Sequence, residues 1–263
     1  MAKDKSCLII SGGEYHIPDA WRDGCRRAHS HGCVEEHGAC TESEVRGDGL
    51  CGAEDTDSQK TEVELCGPDL GYNLVIACDR GYEYAKRAGI APDVILGDYD
   101  SADNRPAEGA APVILTYISD KDDTDTMLAV KYALERDIRN IDICCGLGGR
   151  LDHTYGNIMS GSLAAEHGCV TRIYGEDTHI WIFRNTQVQI PRMEGWSLSC
   201  FSISNVTVGI TMKGTKFEVE DVELSNATTL GNSNNWAAET ADISCREGTM
   251  MVICSKLKQG EHI

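Results

Sequence analysis

The chain of 263 residues lacks any apolar run approaching the roughly 18 residues needed to cross a bilayer. It also lacks the marks of a secretory leader. After Lys3 and Lys5 only Cys7 to Ile10 is continuously apolar before Gly12 and Gly13, and that run reads as a first strand. Positive charge is scarce: 24 Lys and Arg stand against 42 Asp and Glu, a formal net charge of -18. Such a balance excludes a protein that works by gripping nucleic acid or an anionic membrane, and any phosphate it binds must be held locally, with metal. No CxxC pair occurs. The 13 cysteines are an odd number with an adjacent Cys144 and Cys145, a poor disulfide framework, so reduced thiols in a cytoplasm are expected.

What is present divides into parts. From Asn73 the pattern alternates Leu74 to Cys78 as strand, Glu83 to Ala88 as helix, Val94 to Leu96 as strand, Thr124 to Arg136 as helix and Ile141 to Cys144 as strand. This predicts an α/β fold with a doubly wound, mainly parallel sheet. Met127, Val130 and Leu134 share one face of the Thr124 helix, with Asp122 or Asp123 as its cap. A second helix after Asp152 should turn Ile158, Met159 and Leu163 inward and end near Gly168, followed by strands at Val170 to Tyr174 and His179 to Phe183. Beyond Asn185 the runs are short, turn-bounded and without helical period, which predicts a small all-β sandwich over 185–263 after an α/β domain over 1–184.

The stretch from about 14 to 70 fits neither pattern. It holds 14 acidic and 5 basic residues, half of the net charge, and reads as an insertion. Cys25, Cys33, Cys40, Cys51 and Cys66 with His29, His31 and His37 are soft ligands that could hold Zn²⁺, although their spacings match no common zinc module.

Four segments carry chemistry. Gly97-Asp98-Tyr99-Asp100-Ser101 follows a predicted strand, where ligands bind in open α/β sheets. Asp120-Lys121-Asp122-Asp123-Thr124-Asp125 puts four acids at a helix start, more than one cap uses. Neighbouring carboxylates about 4 Å apart repel by roughly 4 kcal/mol at an effective dielectric near 20, so two such segments converging would call for a hard cation such as Mg²⁺. Gly146-Leu147-Gly148-Gly149-Arg150-Leu151-Asp152-His153 offers close backbone approach to phosphate and a guanidinium fork. Asp79-Arg80-Gly81 is a strand-to-helix turn.

Taken in order, these four segments resemble the signature series of the thiamine pyrophosphokinases, and Ser233-Asn234 resembles that family's C-terminal thiamine-contacting segment. The resemblance covers roughly 1–13 and 71–257. It implies an α/β domain for ATP, a sandwich completing the thiamine site, and a homodimer whose sites are shared between subunits. It also implies that Asp98, Asp100 and Asp125 are the Mg²⁺ and catalytic carboxylates, with Asp122 a further ligand. Ser101, Lys121 and Thr124 would line the phosphate path, Arg150, Asp152 and His153 would hold the nucleotide, and Asp79 and Gly81 would form the early ATP-site turn. Ser233 and Asn234 would meet thiamine, and Trp236 either stacks on its ring or packs the sandwich. The family has a much shorter connection where the insertion stands. Competing functions are a diphosphokinase for a pterin alcohol and a non-catalytic sensor of Mg²⁺ and nucleotide.

Overall fold

The computed structural model describes residues 4–18, 71–99, 105–117, 122–258 and 260. The proposed zinc ligands, and Asp100, Ser101 and Lys121, lie outside them. Among the described residues thirteen strands alternate early with three helices: β1 (Ser6–Ile10), β2 (Leu74–Cys78), α1 (Gly81–Ala88), β3 (Val94–Gly97), β4 (Val113–Thr116), α2 (Asp125–Leu134), β5 (Asn140–Cys144), α3 (Leu151–Glu166) and β6 (Val170–Tyr174). After these come only strands: β7 (Thr178–Arg184), β8 (Gln187–Pro191), β9 (Trp196–Ser202), β10 (Val206–Lys213), β11 (Val219–Ser225), β12 (Thr240–Ser244) and β13 (Thr249–Lys256).

Two sheets form, one of nine strands in the order β4-β3-β2-β1-β5-β6-β7-β13-β9 and one of four in the order β11-β10-β12-β8. Pairing from β4 to β6 is parallel, and β7, β13 and β9 continue antiparallel. The central strands are buried on both faces, so β1 and β2 read as nearly unbroken apolar runs, while β5 carries the buried Asn140 and Asp142. On one face Cys7, Ile9, Ile76, Ile141 and Ile143 pack with α2 and α3; on the other Leu8, Ile10, Val75 and Ala77 pack with α1. At the far end Trp181, Phe183, Leu198 and Val252 of the large sheet meet Ile190, Ile210, Leu224 and Ile243 of the small one, two layers over one apolar cluster. Strand pairing therefore runs across the boundary near residue 185, since β13 and β9 complete the large sheet.

The helix faces differ from their expected pattern. α2 buries Thr126, Ala129, Val130 and Ala133, while Met127 and Leu134 are only partly covered. α3 buries Asn157, Ser160, Gly161, Ala164 and Ala165 and leaves Ile158, Met159 and Leu163 half-buried. Small residues let the helices lie close on the sheet, and the larger apolar ones flank the contact. The cap of α2 is Thr124, whose hydroxyl accepts from Met127 N at 3.2 Å; Asp123 instead pairs with Lys131 at 2.6 Å. Among the described residues all eight cysteines are free thiols, and no helix is long and apolar enough to cross a membrane.

Candidate active site

The first four parallel strands and β5 run the same way, so the segments following them gather along one edge of the sheet. Growth of the sheet reverses between β1 and β5, which is where a crevice opens in such folds. The loops after these two strands are tied together: Ser11 N donates to Cys144 O at 3.0 Å, Gly13 N to Cys145 O at 2.7 Å and Glu14 N to Leu147 O at 3.2 Å. Glu14 then turns its carboxylate back to accept from Gly149 N at 3.0 Å. Glu14 thus belongs to the crevice, and with Ile17 buried the segment before residue 19 is part of the packed core.

Asp79 follows β2 with a φ of 49° and donates its backbone N–H to Leu96 O at 2.9 Å, fastening the turn to β3. Its Oδ1 sits 2.7 Å from where a Cβ on Gly97 would lie, so a side chain at that point of β3 would have to push the Asp79 carboxylate aside. Gly81, by contrast, is required. A Cβ there would come within 1.9 Å of Ile10 O, so the first turn of α1 is seated directly on the end of β1.

Asp98 stands half-buried at the exit of β3, and Tyr99 beside it is buried with a φ of 47°. Burial pushes the Tyr99 phenol well up, and the nearby Asp79, Cys78 and Asp125 push further in the same direction. Asp125 opens α2, and its carbonyl accepts from the Cys78 thiol at 3.7 Å, placing the start of α2 over the end of β2. Ser11 and Thr126 hydroxyls meet at 2.9 Å and join α2 to the β1 loop as well. Asp79, Asp98 and Asp125 are accordingly gathered on this edge, with Asp122 exposed and Thr124 at the helix cap. Among the described residues no group of three or more His, Cys, Asp or Glu is close enough to be a complete metal site, but Asp100 lies outside them. The donor chemistry, carboxylate oxygens without soft ligands, fits a hard divalent cation.

Arg150 ends the glycine loop and precedes α3 with extended backbone. Its side chain is exposed and held by Asp152, Nε donating to Oδ1 at 3.1 Å, which keeps the Asp152 carboxyl below the usual range. Asp152 Oδ1 also accepts from His153 N at 3.0 Å, and His153 is exposed. These three residues rim the crevice on its β5 side.

The C-terminal segment stands elsewhere. Asn234 pairs with Leu198 of β9, at the opposite end of the sheet from β3. Seven strand spacings of about 4.8 Å separate β3 from β9, roughly 30 Å. Asn234 is buried, its Oδ1 accepting from Phe217 N at 3.0 Å and its Nδ2 donating to Phe217 O at 3.0 Å. Trp236 is 6% exposed in the sandwich core, with its indole N–H on Ile190 O at 3.0 Å. Ser233 is exposed, and its backbone N–H is held by Ser199 Oγ at 3.0 Å. Within one chain these three do not meet the carboxylates.

Residues 71–170 match the family described as thiamin pyrophosphokinase, catalytic domain. The chain is 31% identical over 196 residues to the thiamine pyrophosphokinase of Bacillus subtilis (strain 168), covering 73% of this chain and 92% of that one. It superposes on the crystal structure of thiamine pyrophosphokinase from Bacillus subtilis with a TM-score of 0.68 at 25% identity, covering 96% of this chain and 99% of the other. Yeast thiamin pyrophosphokinase shares the fold, with a TM-score of 0.60 at 13% identity over 98% of this chain and 88% of that one.

Proposed function

The chain belongs to the thiamine pyrophosphokinase family, and from that premise we propose that it is an enzyme transferring a diphosphate from ATP to the hydroxyl of thiamine, with release of AMP. The observation that carries the proposal is the gathering of Asp79, Asp98, Asp125 and the Gly148–Arg150 loop along one sheet edge. The large sheet is read as doubly wound about the β1/β5 crevice, which supplies the ATP half of the chain, 1–184. The sandwich half, 185–263, supplies the thiamine-contacting segment.

Attack of a hydroxyl on the β-phosphorus needs alignment and relief of negative charge on the transferred oxygens. Asp98, Asp100 and Asp125 would hold Mg²⁺, with Asp122 a further ligand; bound there, the cation would neutralise that charge. Arg150 releases Asp152 to fork onto phosphate oxygens, and Asp152 and His153 border the nucleotide. Ser101, Lys121 and Thr124 line the phosphate path. Asp79 and Gly81 shape the turn beneath it. Asp100 or Asp125 accepts the hydroxyl proton.

Ser233 faces the substrate, while Asn234 and Trp236 give its segment a fixed shape. The roughly 30 Å between that segment and β3 supports a homodimer in which the partner's sandwich closes each site. Free thiols throughout the described residues are compatible with a cytoplasmic enzyme.

The test is a coupled assay for AMP release from Mg·ATP with and without thiamine, the product weighed by mass spectrometry. Thiamine-dependent AMP and thiamine diphosphate are expected. Asp98→Asn and Asp125→Asn should each reduce turnover by at least about 100-fold, as the loss of a transition-state electrostatic contact does, with unchanged circular dichroism. Full activity in either variant would remove that residue from the site.

A further inference from the structure

Tyr99 has no part in the chemistry above, yet two features at this position work against stability. Its φ of 47° is in the left-handed region, which a bulky side chain enters only under strain. Its side chain is 4% exposed, and its hydroxyl oxygen is buried with no hydrogen-bond partner among the described residues. A phenylalanine would fill the same space without an orphaned donor. A strained backbone that buries a hydroxyl unsatisfied among the described residues points to a use outside folding.

The surroundings define what that hydroxyl can do. The ring edge of Tyr99 and Oδ1 of Asp79 crowd the same point above Gly97, at 3.2 Å and 2.7 Å from it. Asp125 is tied to Cys78, whose thiol donates to the Asp125 carbonyl. The carboxylate whose side chain meets the Tyr99 ring over Gly97 is therefore that of Asp79. A phenol among carboxylates can offer only its proton.

We propose that the Tyr99 hydroxyl is a positioning donor for Asp79: once nucleotide and its divalent cation are bound, it donates to the Asp79 oxygen turned away from the ligand and fixes that carboxylate's orientation. This rests on reading the crevice as a diphosphotransferase site. Asp79 is the acceptor because it and the Tyr99 ring already converge over Gly97. Asp79 stands beside the carboxylates that would hold the cation, and outer hydrogen bonds around such a site are worth about 10–100-fold in metal affinity or activity.

The experiment uses the full chain with Tyr99→Phe. Thiamine-dependent AMP release should fall roughly 10–100-fold in kcat, with the Mg²⁺ concentration for half-maximal rate rising and the KM for thiamine unchanged. Without nucleotide and Mg²⁺, the variant should melt at the same temperature as the parent or higher, because an orphaned hydroxyl has been removed. Calorimetric titration with Mg²⁺ and a non-hydrolysable ATP analogue should show weaker binding than in the parent. Parental rate and affinity in the variant would overturn the proposal, and so would a lower melting temperature in the ligand-free protein, which would make the hydroxyl a structural partner. If the parent itself releases no thiamine-dependent AMP, the functional reading fails, and the analogue titration still decides the role of Tyr99.

Discussion

His179 stands on β7 among rings, its imidazole centroid 5.0 Å from Tyr174 and 4.8 Å from Trp196. Burial, aided by His16 nearby, brings its pKa down from 6.5 to about 4. Between those values the unfolded chain binds a proton that the folded protein refuses, so stability rises with pH across this window. It is lost as pH falls below 6.5 and levels off below 4, by about 3 kcal/mol at most. His179→Phe keeps an aromatic ring and removes the titration. Guanidinium unfolding of both proteins at pH 7 and pH 4.5 should show the parent losing stability relative to the variant, and parallel losses would show that burial does not hold this imidazole neutral.

Contacts between elements decide where helices can sit, and Gly81 shows it most directly. Gly81→Ala would drive a methyl group into Ile10 O and lift α1 from β1. A loss of about 1–3 kcal/mol is expected by urea unfolding, as for other overpacked positions, together with impaired turnover because Asp79 moves with the turn. Much of the element pattern was legible in the sequence: β2, for example, is buried on both faces and therefore continuously apolar. β4 and β8 were not. β4 is a half-buried edge strand of four residues, and β8 alternates buried Val188 and Ile190 with polar neighbours between turns. The inward faces of α2 and α3 were legible only in part: Val130 is buried and Leu134 and Ile158 pack against the core, but close helix-to-sheet approach centres each contact on small residues such as Ala, Gly and Ser. Of the candidate site, the sequence placed Asp79, Asp98 and Arg150 in segments following strands and Asp125 at a helix start, where the structure also has them. Glu14 was not legible, because its bond to Gly149 exists only once β1 lies beside β5. Nor was Tyr99, whose direction depends on a positive φ.

Across the whole molecule, one buried ion pair sits near the middle of the large sheet. Arg172 of β6 donates Nε to Asp142 of β5 at 2.5 Å, both nearly inaccessible, and Tyr72 donates its hydroxyl to the same carboxylate at 2.7 Å. Burial raises the Asp142 carboxyl while Arg172 and Tyr72 pull it down. Removing one partner leaves a buried charge, so Arg172→Leu should cost about 3–5 kcal/mol by urea unfolding. Asp142→Leu combined with Arg172→Leu should recover much of that loss, a non-additivity that identifies the pair as coupled. The order of the large sheet bears on how the protein is made. β13 is the last strand of the described residues, yet it lies between β7 and β9. While a ribosome is still translating residues 185–248, β7 has an open edge that β13 will close, and β9, once made, awaits β13 as its strand partner too. At about 5–20 residues per second, the nascent chain carries that adhesive edge for seconds before the final strand arrives.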